Sequence, residues 1–423
     1  MNSSKARSLR VLASLLISLP AVAMLAADPA SVQLVRTIND PHPEEQRNFG
    51  WSLDTFNNHL LAGSYGGSVY VLNPNTGAEL LRLQSPEPFG SFGRSVTQFG
   101  SMIVVGANEL DIAPYVRVGS AYVFDGLTGA HLRTLRNPNP FHFGWFGFSM
   151  ESTAGKLFVS ADSASTGEPG RVYVYGPTAT TPIGSLVNPQ AASSTAWGFG
   201  FNMEDHNGDL FVSALGANSG SQQVGAVYRF DGNSLALELT IPNPQPQSEA
   251  DFGRSLASNS TQLLVGAPGH NISGTASAGA AYLFNAETGS LLRTFLNPEP
   301  QQYADFGDSV ALLGNYAIIG APGNSPIPGR IPLSVGAAYV FDIVTGGFVA
   351  KIASPSPGQN EWFTTGDGNT LAAIGGFLAA GHAFNGDNSG TVYLFSVPEP
   401  STFCLALFAA LGTVPRRVRR RRQ

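Results

Sequence analysis

Short apolar runs, rich in branched and aromatic side chains and cut by Gly, Asn and Thr-Gly turns, succeed one another along most of the chain with no helical period between them. The stretch from Phe306 is typical. An apolar run stops at the turn pair Gly314-Asn315, and a second run from Tyr316 to Ala321 follows. A third run spans Ala337 to Asp342, and Thr345-Gly346 turns the chain into a fourth at Phe348 to Ile352. The pattern predicts four short antiparallel strands per unit.

The unit is repeated. Phe-Gly pairs stand at Phe49-Gly50, Phe92-Gly93, Phe146-Gly147, Phe199-Gly200, Phe252-Gly253 and Phe306-Gly307, and Asp367-Gly368 reads as a degraded seventh. Each glycine is followed, at one fixed offset, by a small residue: Gly63, Gly106, Ser160, Ser213, Gly266, Gly320 and Gly381. A Gly-x-x-Tyr segment then ends at Tyr70, Tyr122, Tyr173, Tyr228, Tyr282, Tyr339 and Tyr393. Self-similarity at a spacing near 50 residues marks a repeated supersecondary unit, and four strands per unit describe a propeller blade. The seventh copy ends after its third strand at Ser396, whereas residues 31–38 match the fourth-strand pattern of residues 291–300. The expected fold is all-β: a seven-bladed β-propeller of four-stranded antiparallel blades over residues 28–396, its N-terminal strand completing the last blade and removing an open edge.

The paired Phe-Gly and Gly-Ala-Pro signatures, the latter at Gly266-Ala267-Pro268 and Gly320-Ala321-Pro322, resemble the FG-GAP repeat family, best known from the propeller heads of integrin α subunits. Integrin-type repeats often carry an acidic calcium loop between the first two strands, where carboxylates supply oxygen ligands. Here the corresponding turns are Asn57-Asn58, Phe99-Gly100, Ala154-Gly155, residues 258–261, Gly314-Asn315 and Gly375-Gly376, all without an acid. Only residues 204–209, with Asp205 and Asp209, approach that loop in a shortened form. That segment reads as a solvated hairpin, and no metal or other cofactor is expected.

The two ends carry targeting signals. Lys5, Arg7 and Arg10 precede an apolar run over residues 11–25 with Ala21-Val22-Ala23 as a small-x-small cleavage site, so residues 1–27 read as a secretory signal peptide. At the other end, Val397-Pro398-Glu399-Pro400 leads into an apolar stretch over residues 401–414 and then Arg416, Arg417, Arg419, Arg420, Arg421 and Arg422. Such a stretch reaches about 21 Å as a helix, short for a bilayer core, and the arginines favour the cytoplasmic side. The order of Pro-Glu-Pro motif, apolar span and arginine cluster over residues 397–423 resembles the PEP-CTERM sorting signal of Gram-negative bacteria. That resemblance implies an exosortase-type processing enzyme as partner, transient residence in the inner membrane, and delivery to the cell envelope, surface or extracellular matrix. The plainer alternative is a C-terminal anchor.

Composition agrees with export. The one cysteine, Cys404, lies in the tail, so the propeller has no disulfide, and a formal net charge of -6 argues against a nucleic-acid partner. Catalytic patterns are scarce. The seven histidines form no His-x-x-x-His pair and no nucleophile elbow occurs. Asp125, Asp231 and Asp342 recur after the Gly-x-x-Tyr strand and are expected to cap turns.

Binding is expected on the face that carries the loops joining second to third strands and blade to blade, where the repeats differ most. Trp145, Trp197 and Trp362 lie at or next to the starts of innermost strands beside this face. Their rings either stack on a sugar or peptide or are buried between blades. Two function classes follow. One is a non-enzymatic exported protein that binds an extracellular protein or polysaccharide. The other is a quinoprotein-like enzyme, because Asp125-Gly-Leu-Thr-Gly129 resembles the Asp-x-x-Thr-Gly segment of pyrroloquinoline-quinone propellers. Those repeats follow with a docking tryptophan where this chain has Leu81, Leu132, Leu292 and Val349. The binding class is favoured.

Overall fold

The computed structural model of the protein describes residues 32–45, 47–88, 90–161, 170–190, 197–219, 222–324, 335–357, 363–365, 370–383 and 389–397. They form seven four-stranded antiparallel sheets and one small two-stranded ribbon at Asn218–Ser219 and Gln222–Gln223. Blades 1 to 6 cover residues 49–83, 95–136, 146–187, 199–242, 256–296 and 310–353, each with its strands in chain order from the axis outward. Blade 7 covers residues 371–396, and its outer strand is Gln33–Asn39, in register from Gln33 opposite Ser396 to Asn39 opposite Thr391. The ring therefore closes by the pairing that the two ends of the repeat array predict.

Burial follows position in the blade. Second and third strands have a neighbouring blade on both faces, so Tyr316–Ala321 is buried throughout and Ala337–Asp342 is buried at all but its last residue. This explains why these strands read as unbroken apolar runs and not as alternations. Outer strands border solvent, and Leu291–Leu296 buries only Phe295. Inside each blade the repeat phenylalanine packs on the repeat tyrosine. Ring centroids lie 5.6 Å apart for Phe49 and Tyr70, 5.8 Å for Phe252 and Tyr282, and 5.7 Å for Phe306 and Tyr339.

Neighbouring blades meet backbone to backbone at the fixed offset. The Cα of Gly106 faces the carbonyl of Gly147 in the next blade so closely that any Cβ would overlap it, and Gly147 itself adopts φ of 84°, which glycine alone adopts without strain. Ser95 seals the contact by donating its hydroxyl to the Gly147 carbonyl at 2.8 Å. Ser52 does the same to Gly93 at 2.9 Å and Ser255 to Gly307 at 2.8 Å. Where the offset residue is Ser160 or Ser213, its own hydroxyl instead accepts the amide of Ser149 or Asn202, both at 2.9 Å. Across the closing interface Gly381 meets the carbonyl of Gly50, so the same contact joins blade 7 to blade 1.

One correction concerns blade 7. Asp367-Gly368, read as its Phe-Gly pair, lies outside the described residues, and Phe363-Thr364 performs that role. Phe363 is fully buried 6.0 Å from the ring of Tyr393, and Thr364 adopts φ of 69°. The Thr364 amide donates to Gly381 at 3.0 Å, as the Gly253 amide does to Gly266 at 2.9 Å, and the Thr364 carbonyl accepts from Ser309 at 3.1 Å. A Thr-for-Gly change and a longer offset to Gly381 hide the pair in the sequence.

Two outcomes test this description. Deleting residues 33–39 leaves the third strand of blade 7 as an open edge, and the Tm of the deletion protein is expected to fall by more than about 10 °C. Thr364→Gly removes left-handed strain from a β-branched residue and is expected to raise stability by about 1 kcal/mol, read as a small increase in Tm by calorimetry.

Candidate ligand face and central channel

Each innermost strand starts at its Phe-Gly pair, as in blades 1, 3 and 4, or a few residues after it, and runs along the axis from the loop face to a tight turn on the opposite face. Residues at equal offsets from the pair therefore form rings around the channel. The position directly after the glycine is held by Trp51, Arg94, Phe148, Phe201, Arg254 and Asp308 in blades 1 to 6. These side chains stack in blade order. The Arg94 guanidinium lies 5.9 Å from the ring of Trp51 and 4.1 Å from that of Phe148, Phe148 lies 4.9 Å from Phe201, and the Arg254 guanidinium lies 4.9 Å from Phe201. Arg254 Nε then pairs with Asp308 Oδ1 at 3.2 Å. Cation–π contacts strengthen when desolvated, and Arg94 is only 3% exposed.

Below this stack, Leu53, Val96, Met150, Met203, Leu256, Val310 and Leu371 form an apolar girdle around a cavity of about 260 Å³. The next ring is asymmetric. Blades 1, 3 and 4 present Asp54, Glu151 and Glu204 to the cavity, blades 5 to 7 present Ala257, Ala311 and Ala372, and blade 2 has Thr97 at this position. A second, open recess links the three acids to Asn207 and residues 258–260 at the turn face.

The channel environment disfavours charge on these carboxyls. Burial pushes Asp54 up to about 6, against hydrogen bonds from the Thr55 and Gln98 amides that pull the other way. Burial also pushes Glu204 up to about 8, although its Oε1 accepts the Ser258 amide at 2.8 Å. Glu151 is raised well above the usual carboxylate range by burial and then by the charges of Asp54 and Glu204.

Trp145 and Trp197 come together on the loop face. Both are half-buried against Phe148, Phe201 and Leu215, with Trp145 stacked 6.3 Å from Phe148 at an interplanar angle of 26°. The Trp197 indole N–H donates to Gln223 Oε1 at 3.3 Å. Trp362 lies outside the described residues. So do Pro398, Glu399, Pro400 and the six tail arginines, whereas Val397 is buried at the end of blade 7.

Residues 204–209 form a hairpin between Phe199–His206 and Asp209–Ala214, with Asn207 and Gly208 at its turn. Asp209 Oδ2 sits 3.6 Å from Nε of Arg229, whose other nitrogens reach Glu238 at 3.2 Å and Glu287 at 2.9 Å. Asp209 is thus engaged with a guanidinium. Asp205 instead flanks the open recess, its carbonyl accepting the Ser258 hydroxyl at 2.6 Å. Among the described residues no group of three or more His, Cys, Asp or Glu is disposed to hold a metal ion.

The recurrent aspartates cap turns as expected. Asp125 Oδ1 accepts the Thr128 amide at 2.8 Å and hydroxyl at 2.7 Å, and Asp342 Oδ1 accepts those of Thr345 at 2.7 and 2.9 Å. The Asp-x-x-Thr-Gly segments are therefore accounted for by turn geometry.

The chain is a seven-bladed β-propeller. It carries an FG-GAP repeat: the model of that family matches residues 295–341, from the outer strand of blade 5 through the third strand of blade 6. No curated protein matches the chain. Among solved structures it is similar to BamB from Moraxella catarrhalis, at 12% identity and a TM-score of 0.47, over 81% of this chain and 80% of that one. It is also similar to the computationally designed Ika8 protein, at 13% identity and a TM-score of 0.49, over 83% of this chain and 97% of that one. No helix among the described residues is long and apolar enough to cross a membrane.

The raised carboxyls make a signed prediction. A carboxyl whose pKa is higher folded than unfolded keeps its proton in the native state while the unfolded chain ionises, so stability falls as pH climbs from the ordinary glutamate range through about 8. Glu204→Gln, which retains an acceptor for the Ser258 amide, is expected to match the parent Tm at pH 4 and exceed it by a few degrees at pH 9. Thermal unfolding across that range checks it.

Proposed function

We propose that the protein is an exported, non-enzymatic binding propeller, sorted to the cell envelope, that engages a protein or polysaccharide through its loop face. The observation that carries the reading is the aromatic cluster of Trp145, Phe148, Trp197 and Phe201, which gathers on that face beside the varied second-to-third strand loops. Aromatic side chains of this kind supply contact area at little conformational cost. The turns of the opposite face are short and largely self-capped, as at Asp125, Asp231 and Asp342. Export and sorting are supported by the basic-apolar N-terminal run and the Pro-Glu-Pro, apolar, arginine-rich tail. An exosortase-type enzyme is the expected processing partner.

Two measurements test the reading. Purified protein is expected to bind a cell-envelope fraction of its host in a manner weakened by Trp197→Ala and indifferent to Asn57→Ala on the turn face. An absorbance spectrum that gains a quinone band on addition of quinone and calcium would favour the enzyme class instead. For the tail, replacing Pro398, Glu399 and Pro400 by alanine leaves the hydrophobicity of the span untouched, so a plain anchor behaves as before. A sorting signal leaves full-length precursor in the inner membrane, and mature host protein still carrying Arg416 and Arg417 would contradict processing.

A further inference from the structure

In blades 1 and 3 to 6 the loop preceding the Phe-Gly pair places a left-handed residue two positions before the glycine. Blades 1, 5 and 6 place Asn48, Asp251 and Asp305 there, with φ of 55°, 53° and 54°, and blade 4 places Gly198 with φ of 71°. These are the residue types that tolerate such a backbone. Blade 3 breaks the rule with Trp145 at φ of 40°. The Trp145 indole N–H is also buried without an acceptor. A bulky residue thus sits in a strained conformation with an unmet donor, where asparagine serves the same backbone elsewhere in the ring. Strain retained against an available alternative points to a use for the side chain.

Chemistry around Trp145 narrows that use. The two indoles and two phenyl rings offer flat apolar faces. Cations nearby are already matched: Arg94 by the rings of Trp51 and Phe148, Arg254 by Asp308, and Arg117 by Glu109 at 3.4 Å. Next to Trp197 stand amides, with Gln223 on the indole and Gln190 bonded to the backbone of Asn218 at 2.7 and 3.2 Å, and the exposed Glu249 follows, its backbone amide donating to the Gln223 carbonyl at 3.3 Å. Flat aromatic faces with an amide rim, cations already matched and the carboxylate of Glu249 exposed at the blade 5 edge disfavour an anionic ligand and suit one that has apolar faces, many hydroxyls and no net charge. We infer that the blade 3 and blade 4 sector of the loop face is a site for a neutral polysaccharide, with pyranose rings stacked on Trp145 and Trp197. This rests on the loop-face reading and names its ligand class.

The experiment uses purified protein with dextran, mannan, laminarin and xyloglucan as probes, read by affinity electrophoresis and tryptophan fluorescence, alongside Trp145→Asn, Trp145→Tyr and Trp197→Ala. At least one probe is expected to retard the protein. Trp145→Asn, which installs the residue of blade 1, is expected to keep or raise Tm while weakening binding about tenfold or more. Trp145→Tyr, which keeps an aromatic face, is expected to retain most of the binding. A lower Tm for Trp145→Asn would mean that the indole is a packing anchor, and would overturn the inference. So would binding unchanged in both Trp145→Asn and Trp197→Ala, or no retardation by any probe. If no probe binds while an envelope protein still binds in a Trp197-dependent manner, the loop-face reading survives and the polysaccharide inference falls.

Discussion

Adjacent blades approach backbone to backbone, with the small residue at the fixed offset facing the carbonyl of the next Phe-Gly glycine. Everything else is arranged around that distance. It brings second and third strands into contact with both neighbours, which is why they are apolar throughout, and it sets the inner radius at which seven blades close. Four of the interfaces add a hydroxyl to the facing carbonyl from Ser52, Ser95, Ser255 or Ser309, and the two interfaces with serine at the offset redirect that hydroxyl into their own blade. The contact between Gly381 and Gly50 repeats the rule across the closure, so the ring has no specially built seam beyond the pairing of Gln33–Asn39.

A frame fixed this tightly frees the positions that do not touch it. Directly after the glycine the blades diverge into the Trp51, Arg94, Phe148, Phe201, Arg254 and Asp308 stack, whose side chains hold one another. Three positions further on, carboxyls on one side of the axis face alanines on the other, and burial pushes Glu204 up to about 8. The channel is therefore open toward the turn face and aromatic toward the loop face. The aromatic cluster on the loop face shares no residue with the lining of the acid-bearing cavity.

Much of this was legible in the residues. Six of the offsets, the strand order and the donated outer strand follow from patterns that must recur because they are contacts between backbones. The aspartate caps were legible for the same reason, since Asp125, Asp231 and Asp342 each serve a local turn. Blade 7 was misplaced because Thr364 stands where glycine is expected and the offset to Gly381 is longer, so the more familiar-looking Asp367-Gly368 attracted the assignment. The channel residues were missed for a different reason. Asp54, Glu151 and Glu204 share one offset from the Phe-Gly glycine, but only three blades carry an acid there. Aligning the copies by that glycine would have exposed the column, and no single copy reveals that it lines a common cavity. The Arg229 network was equally hidden, because Asp209, Glu238 and Glu287 converge from separate strands and a neighbouring blade.

The account stands on the glycine-to-carbonyl contact, and the substitution Gly266→Ala isolates it. Gly266 has no left-handed backbone to strain, so a methyl group there meets only the Gly307 carbonyl and the Ser255 hydroxyl. Overpacking a rigid interface of this kind costs about 1–3 kcal/mol or more. Calorimetric unfolding is predicted to show a Tm lowered by about 5 °C or more, or failure to fold. A Tm within about 1 °C of the parent would mean that the blades tolerate wider spacing, and that the contact does not set the ring.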